Sequence, residues 1–96
     1  MKYTLRMTNQ FKKDVKLCKR RGYPMDELWK VLNLLMENGT LPQEYKAHKL
    51  QGNRIGEWEC HIEPDWLLIW TQNGNELTLL MLNTGSHSDL FGKKKR

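Results

Sequence analysis

Three histidines and one aspartate are the residues of this 96-residue sequence best suited to acid–base chemistry. They are His48, His61 and His87, with Asp65 four positions after the second histidine. A histidine has a reference pKa of about 6.5, so it can take up or release a proton near neutral pH. If the fold brings these residues together, they suit cleavage of RNA, because the 2′-hydroxyl of the RNA is then the nucleophile and the side chains only transfer protons.

Other kinds of active site lack their characteristic residues in this sequence. The cysteines and histidines are not spaced like zinc ligands. No glycine-rich phosphate-binding loop is present, and no serine stands in a nucleophile elbow. We interpret Cys18 and Cys60 as reduced core thiols rather than as a disulfide, because no export signal accompanies them. The sequence therefore predicts neither a metal nor a cofactor.

The composition is typical of a small basic folded protein. The net charge is +5, 39% of the residues are hydrophobic, and four are tryptophan, which predicts a single globular domain over residues 1–96. No apolar run approaches the roughly 18 residues of a membrane span, and no signal-peptide pattern follows Met1. We therefore expect a cytosolic protein without a membrane partner. The positive charge suits either phosphate backbones or an acidic protein, and the charge alone does not choose between them.

The apolar spacing of the N-terminal half predicts a strand followed by two helices. Residues 2–7 alternate between apolar and polar side chains, as in a strand. Residues 8–22 form the first predicted helix, capped by Thr8, and residues 24–39 form the second, in an antiparallel hairpin with the first. The side of the first helix away from its apolar stripe carries cations that are candidates for contact with phosphate groups: Lys12, Lys13, Lys16, Lys19 and Arg20.

The C-terminal half changes to the two-residue period of strands. A loop over 40–51 precedes it. Three segments read as strands: 58–62, 67–71 and 77–82. The first two are separated by a turn or bulge at Glu63-Pro64-Asp65, and Asn73-Gly74 predicts a hairpin before the third, which is apolar on both faces and hence central or covered. A turn over 84–92 follows, and we expect residues 93–96 to form a mobile basic tail.

The resulting order is β-α-α-β-β-β, which predicts an α+β fold. In such a fold the helical hairpin covers one face of a small, mostly antiparallel sheet. His61 alternates with Cys60 and Ile62, so we expect it on the face opposite to theirs, and His87 follows the last strand. The face away from the helices is therefore the one predicted to carry function.

Three segments of the sequence resemble motifs of one toxin family. Residues 45–52 resemble its Y-K-x-H-x-L-x-G segment, and residues 58–69 contain its H-[IV]-E-P-D-W-[IL]-L-I block. Residues 84–91 resemble its R-T-G-[ST]-H-x-x-L-F ending. The family is the YafQ family, within the RelE/ParE superfamily of type II toxin–antitoxin systems. The resemblance spans nearly the whole chain, and it implies a RelE-like fold.

The resemblance also implies an activity. Toxins of this kind are ribosome-dependent, metal-independent mRNA interferases that cut mRNA in the ribosomal A site and leave a 2′,3′-cyclic phosphate or a 3′-phosphate. The implied partners are a cognate antitoxin, the ribosome with its rRNA and mRNA, and operator DNA through the antitoxin complex only. The cations of the first predicted helix would then be candidates for contact with the rRNA. Carried over by position, Trp66 and Phe91 would hold or shape the substrate nucleotide. The acid–base group would be His48, His61, Asp65 and His87.

One position departs from the family pattern. The family usually has an arginine directly before the Thr-Gly-[Ser/Thr]-His motif, where it steadies the scissile phosphate, and this sequence has Asn83. A charge-assisted hydrogen bond is roughly twice as strong as a neutral one, and loss of a donor from a comparable oxyanion site costs about 10²–10³ in rate. Either Lys46, Lys49 or Arg54 supplies the charge, or Asn83 attenuates the enzyme.

Two other functions therefore stay open. One is an attenuated toxin-like protein that binds antitoxin or ribosome without efficient cleavage. The other, less favoured, is a gyrase poison of the ParE type, a group that generally lacks this histidine set. Single residues also have structural interpretations, since Asp65 could merely cap the turn after Pro64, Trp66 could belong to the core, and Phe91 could anchor the C-terminus.

Overall fold

A five-stranded sheet with two helices on one face makes up the computed structural model, which describes residues 2–92. Its main elements are β1 (Thr4–Met7), α1 (Asn9–Arg20), α2 (Met25–Asn38), β2 (His48–Lys49), β3 (Trp58–Glu63), β4 (Trp66–Asn73) and β5 (Thr78–Gly85). Short helical turns lie at Gln43–Tyr45, Gly52–Arg54 and Ser88–Gly92. Within residues 2–92, neither helix has the length and apolarity to cross a membrane. The basic tail predicted at 93–96 lies outside the described residues.

The order of the strands across the sheet is β1-β5-β4-β3-β2. β1 pairs with β5 in parallel, and the other neighbouring strands are antiparallel. β5 is therefore internal, which confirms the prediction made from its apolar faces. The predicted α+β fold is confirmed as well, with one strand added. This is β2, which lies inside the predicted loop over 40–51 and is too short to show a periodic pattern.

The helices begin and end close to their predicted positions. Thr8 caps α1, since its Oγ1 accepts a hydrogen bond of 3.0 Å from the backbone N–H of Phe11. Pro24 stands one residue before α2 and not inside it. Gly39 ends α2 with φ of +70°, and a Cβ there would lie 2.5 Å from the ring of Tyr3. The left-handed backbone and this close approach both require glycine.

The core lies between the helices and the face of the sheet that they cover. Cys18 of α1 and Cys60 of β3 are buried in it as free thiols, as predicted. Burial raises the pKa of the Cys18 thiol to about 11, so it stays protonated at neutral pH. The largest fully buried side chains include Phe11, Leu28, Leu35, Leu68, Trp70, Leu79 and Met81.

Both predicted connections between the C-terminal strands are present. A two-residue turn at Pro64 and Asp65 joins β3 to β4, next to a register shift between His61 and Glu63. The hairpin at Asn73-Gly74 has a four-residue loop. The Asn73 Oδ1 accepts hydrogen bonds from the backbone N–H groups of residues 75 and 76, which sets the start of this loop.

A β-bulge in β5 changes which side chains the end of this strand presents to each face. The consecutive residues Ile69 and Trp70 of β4 pair with Asn83 and Met81, which are two positions apart. Met81 is buried against the helices, and strict alternation would bury residue 83 as well. The extra residue reverses the alternation, so Thr84 takes the buried position. Asn83 then belongs to the face of the sheet away from the helices, here named the distal face.

Candidate active site

His61 and His87 meet on the distal face. His61 of β3 pairs with Leu67 of β4, and Leu67 pairs with Gly85 of β5, so one cross-strand row joins the three strands. His87 lies two residues beyond Gly85. The two imidazole rings have centroids 5.8 Å apart and are inclined at 53°. Residues separated by 26 positions in the sequence are thereby brought within reach of one phosphodiester group.

Asp65 orients His87. Its Oδ1 accepts a hydrogen bond of 2.9 Å from the backbone N–H of His87 and one of 2.5 Å from the Nδ1 of the same residue. The backbone bond first and the side-chain bond second hold the pKa of Asp65 below its ordinary value. An ionised carboxylate only accepts, so Nδ1 carries a proton and Nε2 is the nitrogen that can exchange a proton with a substrate.

The ring of His61 has a similar arrangement. Its Nδ1 lies 3.3 Å from the carbonyl oxygen of Pro64, which can only accept a hydrogen bond. Among residues 2–92, no hydrogen bond engages the Nε2 of either His61 or His87. The pair therefore offers two ring nitrogens to a substrate, each with its opposite nitrogen held by the protein.

His48, by contrast, is engaged at both nitrogens. Its Nδ1 lies 2.9 Å from the carbonyl oxygen of Lys46, and its Nε2 lies 3.1 Å from Oε1 of Glu59. Both partners can accept a hydrogen bond, so neither ring nitrogen of His48 is free to exchange a proton with a substrate. Our interpretation of the sequence did not single out Glu59. Its alternation with His61, two positions later on the same face of β3, is the signal that could have found it.

The turn that carries His87 is tied to α1 by an ion pair. Asp89 accepts a hydrogen bond of 2.7 Å from Arg21, at the end of α1, and one of 2.9 Å from the backbone N–H of Ser86. The Arg21 bond is the main reason that the pKa of Asp89 lies below its ordinary value. A Cβ at position 85 would lie 2.9 Å from this carboxylate, so Gly85 leaves room for it. Nothing in the sequence indicates a pairing across this separation.

Arg54 and Asn83 contact each other on the distal face, one cross-strand row from His61 and at the side of β5 where α1 also reaches Asn83. The Nη2 of Arg54 donates to Oδ1 of Asn83 at 2.6 Å, and its Nε donates to Glu57 at 2.6 Å. The Nδ2 of Asn83 donates in turn to Asp14 of α1 at 3.2 Å. Arg54 is one of the three cations considered as substitutes for the family's arginine. It therefore contacts Asn83, the residue that stands in place of that arginine.

Two predicted substrate-binding residues lie elsewhere. Trp66 is only 2% exposed, and its Nε1 donates to the hydroxyl of Thr84 at 2.9 Å, so it supports the strand below the site and cannot stack on a nucleotide. Lys49 lies on the face of β2 opposite to His48, with its ammonium 5.5 Å from the centroid of the Trp58 ring. We therefore correct the prediction for both residues, because neither reaches the distal face.

The remaining predicted contacts are accessible to solvent. Lys46 lines a pocket together with His61. Phe91 is 47% exposed and lines a second pocket together with Arg54. All five cations singled out on the first helix are exposed on α1: Lys12, Lys13, Lys16, Lys19 and Arg20. Within residues 2–92, no three His, Cys, Asp or Glu side chains are grouped so that they could hold a metal ion.

Comparison with known proteins gives consistent matches over most of the chain. A profile of the family described as "Bacterial toxin of type II toxin-antitoxin system, YafQ" matches residues 3–92. The "mRNA interferase toxin YafQ" of Escherichia coli strain K12 is 41% identical over 86 residues, which are 88% of this chain and 91% of that protein.

Solved structures agree with this match. The toxin in the crystal structure of the E. coli DinJ-YafQ toxin-antitoxin complex has a TM-score of 0.86 and 38% identity, covering 96% of this chain and 100% of that chain. A metal-bound toxin from Helicobacter pylori has a TM-score of 0.84 and 36% identity, covering 93% of this chain and 99% of that chain.

Proposed function

This chain belongs to the YafQ family of type II toxin–antitoxin toxins, and from that premise we propose that it cleaves mRNA in the ribosomal A site. We infer the endoribonuclease activity from the relatives, which are named mRNA interferase. The observation that supports the proposal on this chain is the His61–His87 pair, with Asp65 holding one ring. Two imidazoles with unengaged Nε2 atoms suit a reaction that needs one proton removed and another delivered.

In the proposed reaction the 2′-hydroxyl of the mRNA attacks the adjacent phosphorus. One Nε2 of the His61–His87 pair removes the hydroxyl proton, and the other donates a proton to the leaving 5′-oxygen. The P–O5′ bond breaks as the new P–O2′ bond forms, so the product is a 2′,3′-cyclic phosphate. Because the attacking group belongs to the substrate, the chain needs no nucleophilic side chain.

Positive charge near the pair would stabilise the pentacovalent phosphorane. A protonated His48, held by Glu59 and the Lys46 carbonyl, would supply a charge whose position is set by two hydrogen bonds. Lys46 shares a pocket with His61, and its long side chain can follow the phosphate. His48 therefore acts as an electrostatic group in this proposal, and not as a third proton-transfer residue. The proposal needs no metal, because the side chains carry both protons.

The partners follow from family membership and from charge. Relatives have been solved as toxin–antitoxin complexes, so we propose that a cognate antitoxin binds and inhibits this chain and that operator DNA is contacted only through that complex. The row of exposed cations on α1 suits the phosphates of ribosomal RNA. Such a toxin acts on translating ribosomes and hence in the bacterial cytoplasm.

The test is to induce the chain in cells and to map mRNA ends by primer extension, followed by single-turnover cleavage on purified programmed ribosomes. We expect new 5′ ends within translated codons. His61→Ala and His87→Ala should each lower the rate by about 10²–10⁴ and leave antitoxin binding nearly intact. His48→Gln is the contrasting variant, and it should lower the rate while leaving both limbs of the pH–rate profile.

Three outcomes would oppose the proposal. No new cuts from the wild type, with antitoxin binding retained, would indicate a binding protein attenuated at Asn83. DNA-damage signalling without mRNA cuts would indicate a gyrase poison instead. Cleavage at the wild-type rate by His87→Ala would remove this residue from the mechanism.

A further inference from the structure

Arg54 is a cation held in a set orientation beside the proposed catalytic pair, and the cleavage mechanism above does not depend on it. We propose that Arg54 binds a phosphate of the mRNA and that Asn83 is its positioning residue, which does not itself contact the RNA. This inference rests on the proposed ribonuclease function. It changes the meaning of Asn83, from a lost phosphate ligand to the acceptor that orients a different cation.

The sheet register sets the distance between Arg54 and the histidines. Asn83 pairs with Ile69, and Ile69 pairs with Glu59, so these three residues form a cross-strand row. The next row contains His61. Two residues along a strand span roughly 7 Å, so the Arg54–Asn83 contact lies about one phosphate spacing from the row of the catalytic pair.

Two hydrogen bonds fix the orientation of the Arg54 guanidinium. Glu57 accepts from Nε and Asn83 accepts from Nη2, each at 2.6 Å. These bonds leave Nη1 and the second hydrogen of Nη2 without a hydrogen-bonded acceptor among residues 2–92. The planar group can therefore present two parallel N–H donors to a phosphate, which is the geometry in which arginine binds it best. Holding the side chain in advance also reduces the entropy lost on binding.

The amide of Asn83 is used at both ends. Its Oδ1 accepts from Arg54, and its Nδ2 donates to Asp14, whose carboxylate also accepts from the backbone N–H of Thr84 at 3.1 Å. Both ends of this amide are held by the protein, so turning the side chain toward a phosphate would break its bonds to Arg54 and Asp14. An arginine at position 83 would repel Arg54. Only one of these two positions can therefore carry a cationic side chain.

The surroundings of Arg54 fit a nucleotide. Arg54 and Phe91 line one pocket of about 380 Å³, together with the polar side chains of Gln51 and Asn53. An exposed aromatic ring can stack on a base of any identity. A phosphate bound to Arg54 therefore places the attached base within reach of Phe91, with amide groups beside it.

The first test compares arginine variants in single-turnover cleavage on programmed ribosomes at saturating toxin. Arg54→Gln should lower the rate by about 10²-fold, as expected for loss of one charged donor. Arg6→Gln is the matched control, because it removes the same charge from an exposed position on β1. It should cleave at the wild-type rate. If the wild type cleaves and Arg54→Gln cleaves equally fast, the inference is wrong, whereas a wild type that does not cleave refutes the proposed function itself.

The second test concerns the positioning role of Asn83. Asn83→Ala should lower the cleavage rate when Arg54 is present. It should have no further effect on the rate in an Arg54→Gln background, because Asn83 acts through Arg54. The exchanged variant, Arg54→Asn with Asn83→Arg, should recover most of the rate lost in Arg54→Asn. Unfolding midpoints of all variants separate these effects from loss of folding. Multiplicative effects of the two single substitutions, or no recovery in a folded exchanged variant, would overturn the assignment.

Discussion

Replacing Thr84 by valine tests how the core supports the active site. The Thr84 hydroxyl accepts a hydrogen bond of 2.9 Å from Nε1 of Trp66 and donates one of 2.8 Å to the carbonyl oxygen of Leu67. Thr84 and Trp66 are each only 2% exposed, so water cannot replace either bond. Valine has nearly the same shape as threonine but lacks the oxygen. The substitution therefore isolates the two hydrogen bonds.

The expected loss of stability follows from the indole N–H of Trp66, which loses its acceptor, and from the Leu67 carbonyl, which loses one donor. Each buried unsatisfied polar group costs about 1–3 kcal/mol. We therefore expect the free energy of unfolding to fall by about 3 kcal/mol, which lowers the Tm of a domain of this size by about 12–24 °C. Urea denaturation monitored by circular dichroism measures the loss. A decrease below about 0.5 kcal/mol, the usual range of a surface substitution, would show that this reasoning is wrong.

A double-mutant cycle with Trp66→Phe identifies the mechanism. Phenylalanine removes the indole N–H, so it should cost less stability in the Thr84→Val background than in the wild type. If the stability losses of the two substitutions add within about 0.5 kcal/mol, Thr84 and Trp66 are not coupled. At a temperature where all variants are folded, Trp66→Phe should bind RNA as the wild type does. Phe91→Ala is the comparison, since it should weaken RNA binding by about 1–3 kcal/mol if its ring stacks on a base.

Two further predictions test the turns around the site. Because folding lowers the pKa of Asp65, its bonds to His87 should persist at any pH above the ordinary value of 3.8 and be lost as pH falls through the lower folded value. The NMR shift of the His87 amide should therefore titrate with a midpoint below 3.8. A midpoint above 3.8 would contradict the assignment. Gly22→Ala should cost about 1–2 kcal/mol from left-handed strain alone, and Gly39→Ala should cost more in urea denaturation, because its Cβ also meets Tyr3.

Local patterns in the sequence were sufficient for most of the architecture. The change from a helical to a two-residue period located both helices and β3 to β5, because such periods reflect which face of each element is buried. The same alternation correctly placed His61 opposite Cys60. β2 was missed, since two residues show no period, and its pairing is what brings His48 to Glu59.

The active site depended more on contacts between distant segments. Asp65 lies next to His87 only because the β3–β4 turn and the end of β5 meet at the same edge of the sheet. Arg21, which directly follows α1, orders the turn around His87 through Asp89, a pairing across 68 positions that no local pattern contains. Such contacts follow from packing and chain topology, and a linear pattern carries neither.

Residues 83 and 84 show this division most clearly. From the sequence, Asn83 is a missing arginine at a phosphate site, and Trp66 is a candidate for stacking on a nucleotide. The bulge in β5 places Asn83 on the distal face against Arg54 and places Thr84 beneath Trp66 in the core. A bulge shifts the register by one residue and so exchanges the two faces from that point onward. The sequence determined which residues the site has available, and the register of the folded sheet decided which of them face the substrate.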